Sequence, residues 1–153
     1  MSARCLNHGL GRECVKRKNA KVYVLDSFAI LGYLENEASA PFVRDLLKQA
    51  RKKTIELWLS LVNYGEVLYI IERERGLQKA QQAIGIIDQL PVAIADADRQ
   101  TVFLAAHFKA RYPVSYADAF AATLAQTRGG ELLTGDPEFK AVESEVSIHW
   151  LPR

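Results

Sequence analysis

Residues 22–26 read VYVLD, an apolar, β-branched run that stops on an aspartate, and residues 27–36 continue as SFAILGYLEN. An apolar run without polar alternation marks a strand buried on both faces of a parallel sheet. The segment after the aspartate has helical periodicity. Outward from this junction the same alternation recurs along the chain. SAPFVRDLLKQARKK (39–53) is amphipathic, with Phe42, Leu46 and Leu47 on one side and Arg44, Lys48, Arg51 and Lys52 elsewhere. IELWLS (55–60) reads as a strand, and LVNYGEVLYIIERERG (61–76) as a helix that closes on Gly76. LQKAQQAIGIIDQL (77–90) is helical, PVAIAD (91–96) a strand, and ADRQTVFLAAHFKARY (97–112) and SYADAFAATLAQT (115–127) are helices. ELLTGD (131–136) and SIHWLP (147–152) supply the last strands.

Strands separated by helices of this length need crossover connections. The expected architecture is therefore a three-layer α/β/α sandwich around a mostly parallel sheet of about five strands. With 153 residues, about half of them apolar, the chain suits one domain, since domains commonly run roughly 100 to 200 residues. Residues 21–153 are read as that domain, and residues 1–20 as a basic, flexible extension. Cys5 and Cys14 lie in the extension without metal-site spacing and are read as reduced thiols. Twenty basic against eighteen acidic residues, net charge +2, give no global field that implies nucleic acid or membrane. With neither a secretion signal nor an apolar run of about 18 residues, a cytoplasmic location away from membranes is expected.

In a doubly wound sheet the ligand site lies beyond the carboxyl ends of the strands. Carboxylates gather there. Asp26 ends the first strand, Glu66 sits early in the helix after IELWLS, and Asp136 ends ELLTGD. Asp118 opens the helix after RYPVSY. Asp26 and Asp136 also suit helix N-caps, the latter with Pro137 at the first helical position. Capping does not account for the other two. Asp118 shares its face with Ala121, Ala122 and Ala125; Glu66 shares its face with Val62, Asn63, Tyr69 and Ile70, while the charges of its helix gather at residues 72–75. A carboxylate removed from water costs several kcal/mol unless it is paired or binds a metal. Acids without His or Cys select hard divalent cations, Mg²⁺ or Mn²⁺, and such ions commonly act on phosphate esters.

The segments VYVLDSFAILGYL, NYGEVLY, SYADAFAATLA and LLTGDPEF resemble, in order, the four acidic motifs of PIN-domain ribonucleases, and most of all the VapC toxins of VapBC toxin–antitoxin pairs. The resemblance implies that Asp26, Glu66, Asp118 and Asp136 form a metal-binding catalytic quartet, with Ser27 and Thr134 as supporting hydroxyls. Glu138, two residues beyond Asp136, is not counted among the ligands. The family further implies Mg²⁺-dependent endoribonuclease activity, a VapB-like antitoxin as partner and a homodimer. Arg73, Arg75, Lys109 and Arg111, with Lys79, are weaker candidates for contacts with RNA phosphates. Asp96 and Asp98 are read as caps of the helix that starts near Arg99, and His107 and His149 as ordinary face and strand residues. Two other functions fit an acidic strand end less well: a Mg²⁺-dependent phosphatase or phosphotransferase, which wants a second acid where Phe28 stands, and a non-catalytic binding module of the same fold.

Overall fold

The computed structural model describes residues 20–153; the basic extension and both cysteines lie outside the described residues, apart from Ala20. Five strands form one sheet in the order β3-β2-β1-β4-β5, and every pairing is parallel. They are β1 (Lys21–Leu25), β2 (Ile55–Ser60), β3 (Ala93–Ala95), β4 (Glu131–Thr134) and β5 (Ile148–Trp150). Between them run α1 (Ser27–Leu34), α2 (Ala40–Arg51), α3 (Leu61–Arg75), α4 (Leu77–Ile87), α5 (Arg99–Arg111) and α6 (Tyr116–Arg128). A short 3₁₀ helix, Pro137–Val142, connects β4 to β5.

The central strand is buried on both faces, as its apolar run predicts. Tyr23 and Leu25 of β1 pack with Leu57 and Leu59 of β2 and with residues of α1 to α4, such as Ile30, Val43, Val67 and Ile87. Val24, pointing the other way, packs with Phe108 of α5, Phe120 of α6, and Phe139 and Val142 of the 3₁₀ helix. Leu132 and Leu133 of β4 divide between the same two cores. Crossovers that wind from β1 toward β3 thus cover one face, and those that wind back through β4 to β5 cover the other. Connections of a single hand require this arrangement. It makes the gap between β1 and β4 the point where strand order reverses, and there the carboxyl ends open a crevice.

Local signals set the element ends. Gly76 closes α3 with φ 86°, and Gly129 closes α6 in the left-handed region at φ 61°, a conformation that costs glycine little. Asp98 caps α5 by accepting from the Thr101 amide at 2.8 Å. His107 is exposed on α5, and His149, half-buried on β5, stacks on Phe42 with ring centroids 4.6 Å apart. No helix among the described residues is long and apolar enough to cross a membrane.

Candidate metal centre

Four elements meet at the β1/β4 crevice. Asp26 follows β1 directly; its main-chain N–H donates to the Leu133 carbonyl at 3.4 Å, which keeps it at the sheet edge. Its side chain caps α1 by accepting from the Ala29 amide at 2.9 Å. The capping role foreseen for it is therefore real, yet it uses only Oδ1. The residue is 2% exposed. Burial pushes its pKa from 3.8 up to about 7; the Thr134 side chain and the Ala29 amide oppose the shift, and the nearby charges of Asp118 and Asp136 add to it.

Asp118 shows the same doubling of roles: contrary to the expectation from its helix face, it takes part in a cap. Ser115 caps α6: its Oγ accepts from the Asp118 amide at 3.0 Å, and Asp118 Oδ2 accepts from the Ser115 amide at 3.2 Å. That is a capping box, with Asp118 at its third helical position. Periodicity misses it because the cap lies beyond the apolar face, in the turn. One oxygen closes the box and the other remains for the crevice. Burial raises the Asp118 pKa, and the charge of Asp136 raises it further.

Asp136 also caps, accepting from the Glu138 amide at 2.9 Å at the start of the 3₁₀ helix. Its own amide donates to Thr134 Oγ1 at 3.0 Å, so one hydroxyl lies between Asp26 and Asp136. The tight turn after Pro137 brings in Glu138. Carboxylate oxygens of Asp118, Asp136 and Glu138 lie within 4.8 Å of one another, close enough to share a cation. Asp26 and Glu66 are not members of that tight group.

Glu66 is half-buried on α3 and is held differently: Ser27 Oγ donates to its Oε2. Behind this pair lies fully buried Asn63, one turn earlier on α3, which shares the helix face of Glu66 but carries no site signal in the sequence. Its amide donates to the Ala117 carbonyl at 3.1 Å and to Ser27 Oγ at 3.4 Å. Asn63 thus ties α3, α1 and α6 together behind the acids.

None of the ion pairs among the described residues involves Asp26, Glu66, Asp118, Asp136 or Glu138. The three acids that lie together, Asp118, Asp136 and Glu138, offer the oxygen donors that a hard divalent cation takes, and Asp26 beside them has its pKa raised to about 7. The basic candidates lie elsewhere. Arg73 and Arg75 are at the far end of α3, about 10 and 14 Å along the helix from Glu66 at 1.5 Å per residue. Arg75 pairs with Glu35 at 2.8 Å, and Arg73 lies 3.9 Å from Glu74. Lys109 and Arg111 are exposed in the last turn of α5, where Arg111 lies over the Tyr112 ring.

Comparison with known proteins accords with this fold. Curated protein sequences give no match. Among solved structures, the chain is similar to VapBC2 from Rickettsia felis bound to a DNA fragment from its promoter (15% identity, TM-score 0.68, covering 86% of this chain and 99% of that one). It is also similar to DNA-bound VapBC from Salmonella typhimurium (18% identity, TM-score 0.65, 84% and 97% covered). A third is VapC20 from Mycobacterium tuberculosis, described as a sarcin-ricin loop cleaving toxin (19% identity, TM-score 0.61, 78% and 94% covered). At these identities the likeness is one of fold. Residues 23–145, from the middle of β1 to the end of the 3₁₀ connection and beyond, match the PIN domain, and the chain belongs to the PIN domain family.

Proposed function

We propose that this protein is a Mg²⁺-dependent endoribonuclease, the toxin of a type II toxin–antitoxin pair, acting in the cytoplasm with Mn²⁺ as a workable substitute. The observation that carries the reading is the convergence of Asp26, Asp118, Asp136 and Glu138 on one crevice, with none of them in an ion pair among the described residues. A divalent cation bound there supplies Lewis acidity to the phosphoryl group and lowers the pKa of the attacking water. The chain's own residues hold and orient. Asp118 and Asp136 each fix one carboxylate oxygen in a cap and leave the other toward the crevice, while Asp26 accepts from the Ala29 amide and from the Thr134 hydroxyl. Thr134 sets the spacing of Asp26 and Asp136, and Ser27 holds Glu66 at the rim. Pre-set oxygens of this kind need no rearrangement when the cation arrives.

The phosphatase reading lacks support in the site, because Phe28 occupies the place of the second acid and packs its ring on Gly135. Likeness to VapBC complexes supports a VapB-like antitoxin as partner. Exposed Phe103 and Leu104, which line one surface pocket on α5, support a homodimer, since large exposed apolar side chains that lie together mark protein contacts. Sedimentation equilibrium of the purified chain tests that point, and a monomer at all concentrations contradicts it. For the activity, total RNA is incubated with the protein in Mg²⁺ or in EDTA. Discrete fragments in Mg²⁺ only are expected; intact RNA in both, or equal cleavage in EDTA, contradicts the reading.

A further inference from the structure

Beyond β5 the chain turns back over the carboxyl end of β4. Strand register dictates this course: Thr134 lies opposite Trp150, and the Leu151 amide donates to the Thr134 carbonyl at 2.8 Å. Buried Leu151 anchors the segment, and Pro152 fixes its own φ and restricts Leu151 before it. Arg153 then donates from Nε to the Gly135 carbonyl at 2.9 Å. Gly135 stands between Thr134, which faces Asp26, and Asp136. A guanidinium is therefore docked on the loop that carries two groups of the acidic crevice.

Its charge is free. Arg153 takes part in no ion pair among the described residues, unlike Arg75 with Glu35, and its two Nη groups make no hydrogen bond there. A guanidinium fixed through Nε keeps a planar edge that matches two phosphate oxygens at once, with less rotamer freedom left to lose on binding. A polyanion approaching five carboxylates meets repulsion at every phosphate not neutralised by the bound cation. A fixed positive group at the rim offsets that repulsion next to the reacting position.

We infer that Arg153 is a substrate-binding residue that holds a phosphate of single-stranded RNA beside the acidic crevice. This rests on the ribonuclease reading above. It differs from the basic candidates on α3 and α5, whose positions were suggested by sequence alone.

The test uses the full chain carrying Asp26→Asn, which is expected to bind without cleaving, and a mixed-sequence single-stranded oligoribonucleotide in Mg²⁺. Dissociation constants are measured over a series of NaCl concentrations. Adding Arg153→Gln should weaken binding several-fold at low salt and reduce the slope of log Kd against log salt by about 0.7, the change for one lost phosphate contact on a single strand. Arg153→Lys should keep the slope, because the charge remains. Both variants should melt at the parent's temperature. A Gln variant that binds RNA with the parent's affinity and slope overturns the assignment of Arg153 and leaves the ribonuclease reading standing. If the parent binds no RNA at any salt and the unsubstituted protein cleaves none, the reading of the site falls and this inference falls with it.

Discussion

Asn63 donates its side-chain amide to the Ala117 carbonyl at 3.1 Å and thereby joins the helix that carries Glu66 to the helix that carries Asp118. The two residues are 54 positions apart in the chain. Asn63 is fully buried, and its Oδ1 has no partner among the described residues, so the bond to Ala117 is retained at an energetic cost.

Asn63→Leu removes that tie and leaves the Ala117 carbonyl without this partner. Destabilisation of about 1 to 3 kcal/mol is expected by thermal melting. As a positioning residue, Asn63 should affect kcat by roughly ten- to a hundredfold and KM little, since small misplacements of catalytic groups slow the chemical step. Wild-type kcat with lowered stability assigns Asn63 a purely structural role.

Protonation of Asp26 gives a second expectation. Its folded-state pKa of about 7 stands above the ordinary 3.8, so without a cation the fold favours the neutral acid. That contribution to stability is complete below pH 3.8 and is lost as the pH climbs to about 7. Burial moves Asp118 the same way. Protein kept metal-free with EDTA should therefore lose thermal stability across this window, Asp26→Asn should flatten the loss, and Mg²⁺ should reverse it at neutral pH. A metal-free wild-type curve that is flat or rises over the same range contradicts the burial of an unpaired acid.

Gly135→Ala examines the loop below Asp136. A Cβ there overlaps the Phe28 ring, so the loop or the ring must shift. Overpacking of this kind costs about 1 to 3 kcal/mol. Activity should fall along with stability, and Phe28→Leu in the same chain should restore part of both. A double variant no better than Gly135→Ala alone removes Phe28 from the account.

Much of the architecture was legible because its signals are local. An apolar run ending on an acid, repeated between helical segments, specifies buried parallel strands, and the burial of Tyr23 and Leu25 on one side with Val24 on the other bears this out. Strand-end acids were legible for the same reason. Other features depend on distances that no spacing encodes. Glu138 comes to lie beside Asp118 in a 3₁₀ turn capped by Asp136, whereas an α-helix would turn a residue two positions on to the opposite side. The capping box of Asp118 uses the turn before the helix, outside the periodic face. Asn63 looks like any polar residue in its helix until α6 is packed against it, and Arg153 gains meaning only when β5 registers against β4.

The central claim is that these acids bind a divalent cation together. Calorimetric titration of the metal-free protein with Mn²⁺ tests it without reference to any substrate. Wild type should bind saturably, Asp118→Asn and Asp136→Asn should each lower the affinity at least tenfold while keeping the parent's fold by circular dichroism, and Arg73→Gln should change nothing. Equal Mn²⁺ affinity in wild type, Asp118→Asn and Asp136→Asn contradicts the account.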